Sequence, residues 1–144
     1  MVVGAIVAVA VLAVAAVAGV ALGRRNGHMR AQASGPQAHL TPSQLGQPLG
    51  ERATLLQFST AVCAPCRATR TLLADMAAGS PGVAHVELDV ADHLDLVRTL
   101  DVRRAPTVFV LGRAGQVCHR ASGVPRRADL EAALSEVTGG SQPA

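Results

Sequence analysis

The run Leu55-Leu56-Gln57-Phe58-Ser59-Thr60-Ala61-Val62-Cys63-Ala64-Pro65-Cys66-Arg67 joins two segments of different period. Ala53 to Ser59 is short and mostly apolar and reads as a strand. From Cys66 onward, Leu73 and Met76/Ala77 recur on one face with Thr69 between them, the pattern of a helix. Cys63 therefore falls at a helix N-terminus, where unpaired N–H groups and the positive end of the dipole favour an anion. A thiol so placed ionises more readily, and the thiolate is the nucleophile. Cys66 lies one helical turn on, so the two sulfurs can reach each other. Pro65 between them removes an N–H that would be unpaired in any case. The chemistry this predicts is disulfide exchange, with attack by Cys63 on a substrate disulfide and displacement by Cys66. Two cysteines three apart also occur as half of a zinc site. A structural zinc needs four ligands, and the chain has no second pair, so no metal ligand is assigned.

Outward from this run, the chain alternates elements. Toward the N-terminus, Thr41-Pro42-Ser43-Gln44 has the form of a capping box opening a short helix, cut off by Gly46 and Pro48. Residues 31–39 lack apolar periodicity, contain Gly-Pro and read as a linker. Toward the C-terminus, Gly79-Ser80-Pro81-Gly82 stops the first long helix. Val83 to Val90 alternates as a second strand, and Asp92 is placed to cap a helix through Leu100. Thr107 to Leu111 is an unbroken apolar run, and Gly112-Arg113-Ala114-Gly115 turns it into Gln116 to Ala121, a hairpin. The last helix runs from about Arg126 to Gly139-Gly140 with Leu130, Leu134 and Val137 inward. The order β-α-β-α-β-β-α predicts an α/β sheet with helices on both faces.

Val2 to Leu22 has 21 residues and no charge, about what a helix needs to cross ~30 Å of hydrocarbon. A cleaved secretory signal would carry basic residues ahead of the apolar run; here Arg24-Arg25 follow it. A buried helix of the soluble domain would be striped, whereas this run is apolar on every face. The expected organisation is a transmembrane anchor over 1–23, a basic juxtamembrane segment and linker over 24–39, a folded domain over 40–140 and a tail over 141–144. The net charge of +3 resides in Arg24, Arg25 and Arg30, since the other ten arginines are matched by ten acidic residues, all beyond position 50. A nucleic-acid reader would carry a basic patch on its folded domain, so no nucleic-acid partner is expected. All three flanking arginines follow the span, and the N-terminal tail is short, which by the positive-inside rule puts the domain on the cytoplasmic face.

The run quoted above resembles the active-site strand and helix start of the thioredoxin family. Val102-Arg103-Arg104-Ala105-Pro106-Thr107-Val108-Phe109-Val110 resembles that family's second landmark, a proline opening the central hairpin, and Gly123 stands where the family has a glycine after the last strand. The similarity covers roughly residues 40–140. It implies a thioredoxin-like fold, a central mixed sheet of about four strands flanked by helices, here preceded by one N-terminal transmembrane helix. It further implies a cis Ala105–Pro106 bond facing the Cys63 sulfur, where the backbone of Ala105 is free to pair with an extended substrate. Substrate contacts then fall to Val62, Ala105, Pro106 and Gly123. The alternative is that Pro106 merely begins a strand. No cofactor is implied beyond the redox-active Cys63–Cys66 disulfide.

The pattern is broken in places. Val62 replaces the family's tryptophan, and Ala64-Pro65 replaces the commoner Gly-Pro. At Gln57 the family generally has a buried acid that helps deprotonate the second cysteine; glutamine cannot take that proton, so resolution by Cys66 is expected to be less assisted. His85 stands where a lysine is common, either as a substitute base or as a histidine without a role. Cys118 is expected as a small buried core residue, with a regulatory thiol as the alternative; an unpaired cysteine suits a reducing compartment. His28, His39, His93 and His119 show no ligand spacing. The leading expectation is a monomeric thiol-disulfide oxidoreductase. It would be membrane-held through residues 2–22, reduce protein disulfides and be resupplied by an upstream dithiol electron donor. The alternatives are an extracytoplasmic exchange protein of the cytochrome-maturation type and a non-catalytic binding module.

Overall fold

The computed structural model describes residues 2–25, 27–32 and 38–139. The linker centre at 33–37, Gly140 and the 141–144 tail lie outside the described residues. Helix α1 (Val2–Arg25) precedes β1 (Arg30–Ala31), α2 (Pro42–Leu45), β2 (Ala53–Ser59), α3 (Ala64–Ala78), β3 (Val83–Asp89), α4 (Leu94–Thr99), β4 (Thr107–Gly112), β5 (Val117–Ser122) and α5 (Arg127–Gly139). The sheet order is β1-β5-β4-β2-β3, with β2 parallel to β3 and the other pairs antiparallel. Strand β2 has neighbours on both edges and helices on both faces, so all seven of its residues are buried. That is why it reads as mostly apolar, with no strict alternation of apolar and polar residues.

Alternation along the strands feeds two cores. Leu56, Phe58, Phe109 and Leu111 pack with Leu45, Leu96 and Leu100 on the side of α2 and α4. Leu55, Val108 and Val110 pack with Leu73, Met76, Leu130 and Leu134 on the side of α3 and α5. The expected capping box is present, with Thr41 Oγ1 accepting from the Gln44 N–H and Gln44 Oε1 accepting from the Thr41 N–H.

Three expectations need correction. The sheet has five strands, because the segment expected as juxtamembrane tether and linker joins it. Arg30 and Ala31 pair with Arg120 and His119, the Gln32 N–H donates to Cys118 O at 2.8 Å, and His39 bridges Gln116. These contacts satisfy backbone groups that would otherwise form an open edge on β5, and a two-residue strand leaves no side-chain period to read. Asp92 does not cap α4: the N-cap is His93, whose side chain makes no capping bond and instead pairs through Nδ1 with Asp89 O at 3.1 Å, and it is Asp89 whose carboxylate accepts from the Ala91 N–H. Cys118 is half-buried, not core. It sits where the β4–β5 register shifts, Val110 facing His119 and Leu111 facing Val117, and a residue at such a bulge is turned partly off the packed face.

Candidate active site

Phe58, Thr107 and Ser122 lie in one row across β2, β4 and β5. The loop after β2, the residues before β4 and those after β5 therefore gather at one end of the sheet. They bring Cys63, Ala105–Pro106 and Gly123 to the same edge. Cys63 is the N-cap of α3, in extended conformation at φ −147° and ψ 99°, and its sulfur accepts from the Cys66 N–H at 3.1 Å. This is the donor arrangement expected from the sequence: an N–H left free by the first turn points at sulfur. Pro65 sits in that turn, and Thr69 Oγ1 donates to its carbonyl at 3.0 Å. Cys63 and Cys66 are disulfide-bonded, with Cα atoms 5.2 Å apart. Cys66 is 1% exposed, whereas Cys63 is only partly covered and Val62 beside it is 96% exposed.

The Ala105–Pro106 peptide is cis. Its loop is tied on both sides, by Thr107 Oγ1 donating to Arg104 O at 2.7 Å and by the Gly123 N–H donating to Pro106 O at 2.8 Å.

Beneath Cys66 the buried Gln57 donates through Nε2 to the Cys66 carbonyl at 2.9 Å and, at 3.4 Å, to Glu87. Its Oε1 is buried with no hydrogen-bond partner among the described residues. Glu87 also accepts from Ser59 Oγ and from the Arg70 guanidinium. The Arg70 hydrogen bond, more than offsetting partial burial, holds the Glu87 carboxyl below the usual carboxylate range, with Ser59 and the Arg70 charge adding to it. His85 lies two residues away, in register with Leu55 and not Gln57. Burial pushes its imidazole below the ordinary histidine value, against the pull of Glu87, and its Nε2 is buried with no hydrogen-bond partner among the described residues.

A family model described as Thioredoxin matches residues 38–136. The chain belongs to the thioredoxin family. It is 33% identical over 63 residues to Thioredoxin H4-1 of Oryza sativa subsp. japonica, covering 44% of this chain and 48% of that protein, so the match spans about half the length of that relative. Against a thioredoxin of Ophiophagus hannah the identity is 29% over 87 residues, 60% of this chain and 81% of that one. Among solved structures, thioredoxin NaTrxh from Nicotiana alata superposes with a TM-score of 0.54 at 23% identity, over 61% of this chain and 75% of that one. The oxidised form of mitochondrial thioredoxin 3 from Saccharomyces cerevisiae gives 0.53 at 22%, over 65% and 84%. These likenesses carry the fold.

Within this thioredoxin domain, sequence reasoning placed Gln57 next to the second cysteine and missed what adjoins it. The ionisable group hydrogen-bonded to Gln57 is Glu87, fixed in turn by Ser59 and Arg70. Alternation along β3 puts His85 and Glu87 on one face. Only the parallel register, Gln57 beside Glu87, selects between them. The half-buried Cys118 has its thiol pushed up by burial, which keeps it protonated and a poor nucleophile.

Proposed function

We propose that this protein is a thiol-disulfide oxidoreductase that reduces protein disulfides at a membrane. The observation that carries the reading is the asymmetry of the pair: Cys63 is reachable and capped by an N–H, whereas Cys66 is 1% exposed. In the reduced protein the Cys63 thiolate attacks one sulfur of a substrate disulfide. The substrate's other sulfur leaves as a thiolate and takes up a proton. The Cys66 thiol then gives up its proton and attacks the Cys63 sulfur, the substrate leaves with its second thiol, and two electrons have passed from the dithiol to the substrate. An upstream dithiol of the same chemical class restores the pair. Pro106, Ala105, Val62 and Gly123 form the rim against which an extended substrate segment lies, and Gln57 with Glu87 tunes Cys66.

Anchoring is supported by α1, whose Gly4–Gly23 stretch of 20 residues is apolar and nowhere buried against the domain. Arg24, Arg25 and Arg30 after the span support a cytoplasmic domain. The organisation we adopt is an anchor over 1–23, a basic segment over 24–39 whose ends dock on the sheet, a domain over 40–140 and a tail over 141–144.

Insulin reduction driven by dithiothreitol tests the chemistry. The wild-type chain is expected to accelerate precipitation, Cys63→Ser to abolish it, and Cys66→Ser to accumulate a mixed disulfide. Equal rates for wild type and Cys63→Ser would refute the reading. Retention of the full chain in membranes under alkaline carbonate tests anchoring, and labelling of Cys63 in intact cells with a membrane-impermeant thiol reagent reads its side.

A further inference from the structure

Strand β1 runs antiparallel to β5, so its N-terminal end lies at the C-terminal end of β5, the edge that holds Gly123, Pro106 and Cys63. The chain leaving α1 enters the domain at that edge. The Gly27 N–H donates to Ser122 O at 2.8 Å, one residue before Gly123. Gly27 has φ +80°, and a Cβ there would lie 2.1 Å from Val124 O, so the backbone is pressed directly onto the β5–α5 loop. Met29 packs into the α3–α5 core, and His28 Nδ1 pairs with Asp129 of α5 at 3.0 Å. The docked segment is thus held by backbone, apolar and polar contacts, and it is no free leash.

Helix α1 ends at Arg25, two Cα steps from Gly27, which is at most ~8 Å. From β1 to β2 is three strand spacings, ~15 Å. The β2 end of the active-site edge, from which the loop to Cys63 leaves, therefore stands within roughly 25 Å of the end of α1. The rim there is apolar and uncovered, with Val62 96% and Val124 45% exposed.

We infer that the active-site edge is held at the membrane surface and that its substrates are disulfides in integral membrane proteins, presented in extended segments at headgroup level. This inference rests on the anchoring and exchange chemistry proposed above. A bulky soluble protein must fit between this edge and the bilayer to reach Cys63, whereas a segment emerging beside α1 meets it directly and at high effective concentration. The electron count is that of the exchange already written: the membrane partner gains two thiols, and Cys63–Cys66 becomes the disulfide.

The test uses the full chain, pre-reduced, in phosphatidylcholine vesicles with a single-span peptide bearing a disulfide loop. In one peptide the loop sits at headgroup level; in another a helical spacer raises it about 40 Å. The low loop is expected to be reduced about tenfold faster. A flexible Gly/Ser insertion of about 20 residues between Arg25 and Asn26, which leaves the Gly27–Ala31 docking in place, is expected to erase that preference. Equal rates on the two peptides in the wild-type chain, or a preference untouched by the insertion, would overturn the inference. Loss of the chain from vesicles in carbonate overturns the anchoring on which it rests. Failure to reduce insulin in detergent overturns the chemistry instead.

Discussion

Gln57 sits where its carboxamide holds the Cys66 carbonyl and touches Glu87, so a change there is felt by both. Replacing it with aspartate removes the donor and sets a second carboxylate beside an ionised one. Like charges that close raise one of the two pKa values, bringing the new acid toward the range useful for a base. Gln57→Asp is therefore expected to speed release of the mixed disulfide by about tenfold and to change its pH profile, adding the titration of the new acid to that of the Cys66 thiol. Stopped-flow traces of the mixed-disulfide lifetime from pH 6 to 9 check this, and an unchanged lifetime and profile would count against a tuning role. His85 acts on stability instead. Burial disfavours its charged form when folded, so the unfolded chain binds protons more readily there and folding weakens as pH falls below the ordinary value of 6.5. Comparing urea midpoints at pH 7.5 and 5.5, His85→Asn is expected to lose less stability than wild type over that interval. Glu87, held low by Arg70, contributes in the other window. Its share is present above the carboxylate value of 4.5 and is lost as pH drops through its depressed folded value.

Helix α3 is the element that turns a cysteine pair into chemistry, since its first turn supplies the Cys66 N–H to Cys63 sulfur while its inner face carries Cys66, Thr69, Leu73 and Met76 into the core. That assignment was legible from periodicity alone. Strand β1 was not. Its two residues carry no pattern, and they join the sheet because the β5 edge offers unpaired backbone groups at matching spacing. Gly27 is the residue on which this docking turns. Gly27→Val forces a branched side chain into φ +80° against the Val124 carbonyl. It is expected to cost about 1–3 kcal/mol, read as a lower urea midpoint together with faster hydrogen exchange at Gln32, whose N–H donates to Cys118 O. Unchanged exchange at Gln32 would mean that β1 holds without its first contact.

At the scale of the whole molecule, one sheet serves two cores. Phe109 of β4 meets Phe58 edge-on at 5.9 Å and carries Arg120 over its face at 5.4 Å. The same guanidinium closes onto the carbonyls of Leu100 and Asp101. Phe109→Ala is expected to destabilise the domain by about 3–5 kcal/mol, more than the deletion of any exposed apolar residue, as thermal or denaturant unfolding would register. Residue order by itself determined the α/β layering, the strand–helix junction at Ser59–Ala64 and the placing of Cys63 at a helix start. It also marked the apolar N-terminal stretch, because each of these follows from side-chain period or local capping. Only the tertiary structure decided that Glu87 and not His85 adjoins Gln57, that Cys118 falls at a register shift, and that the segment from Gly27, just after α1, is fastened to the edge that bears the cysteines. Those facts depend on which backbone groups of distant strands pair, and in what register. Pairing between main chains is nearly indifferent to the side chains that a sequence spells out.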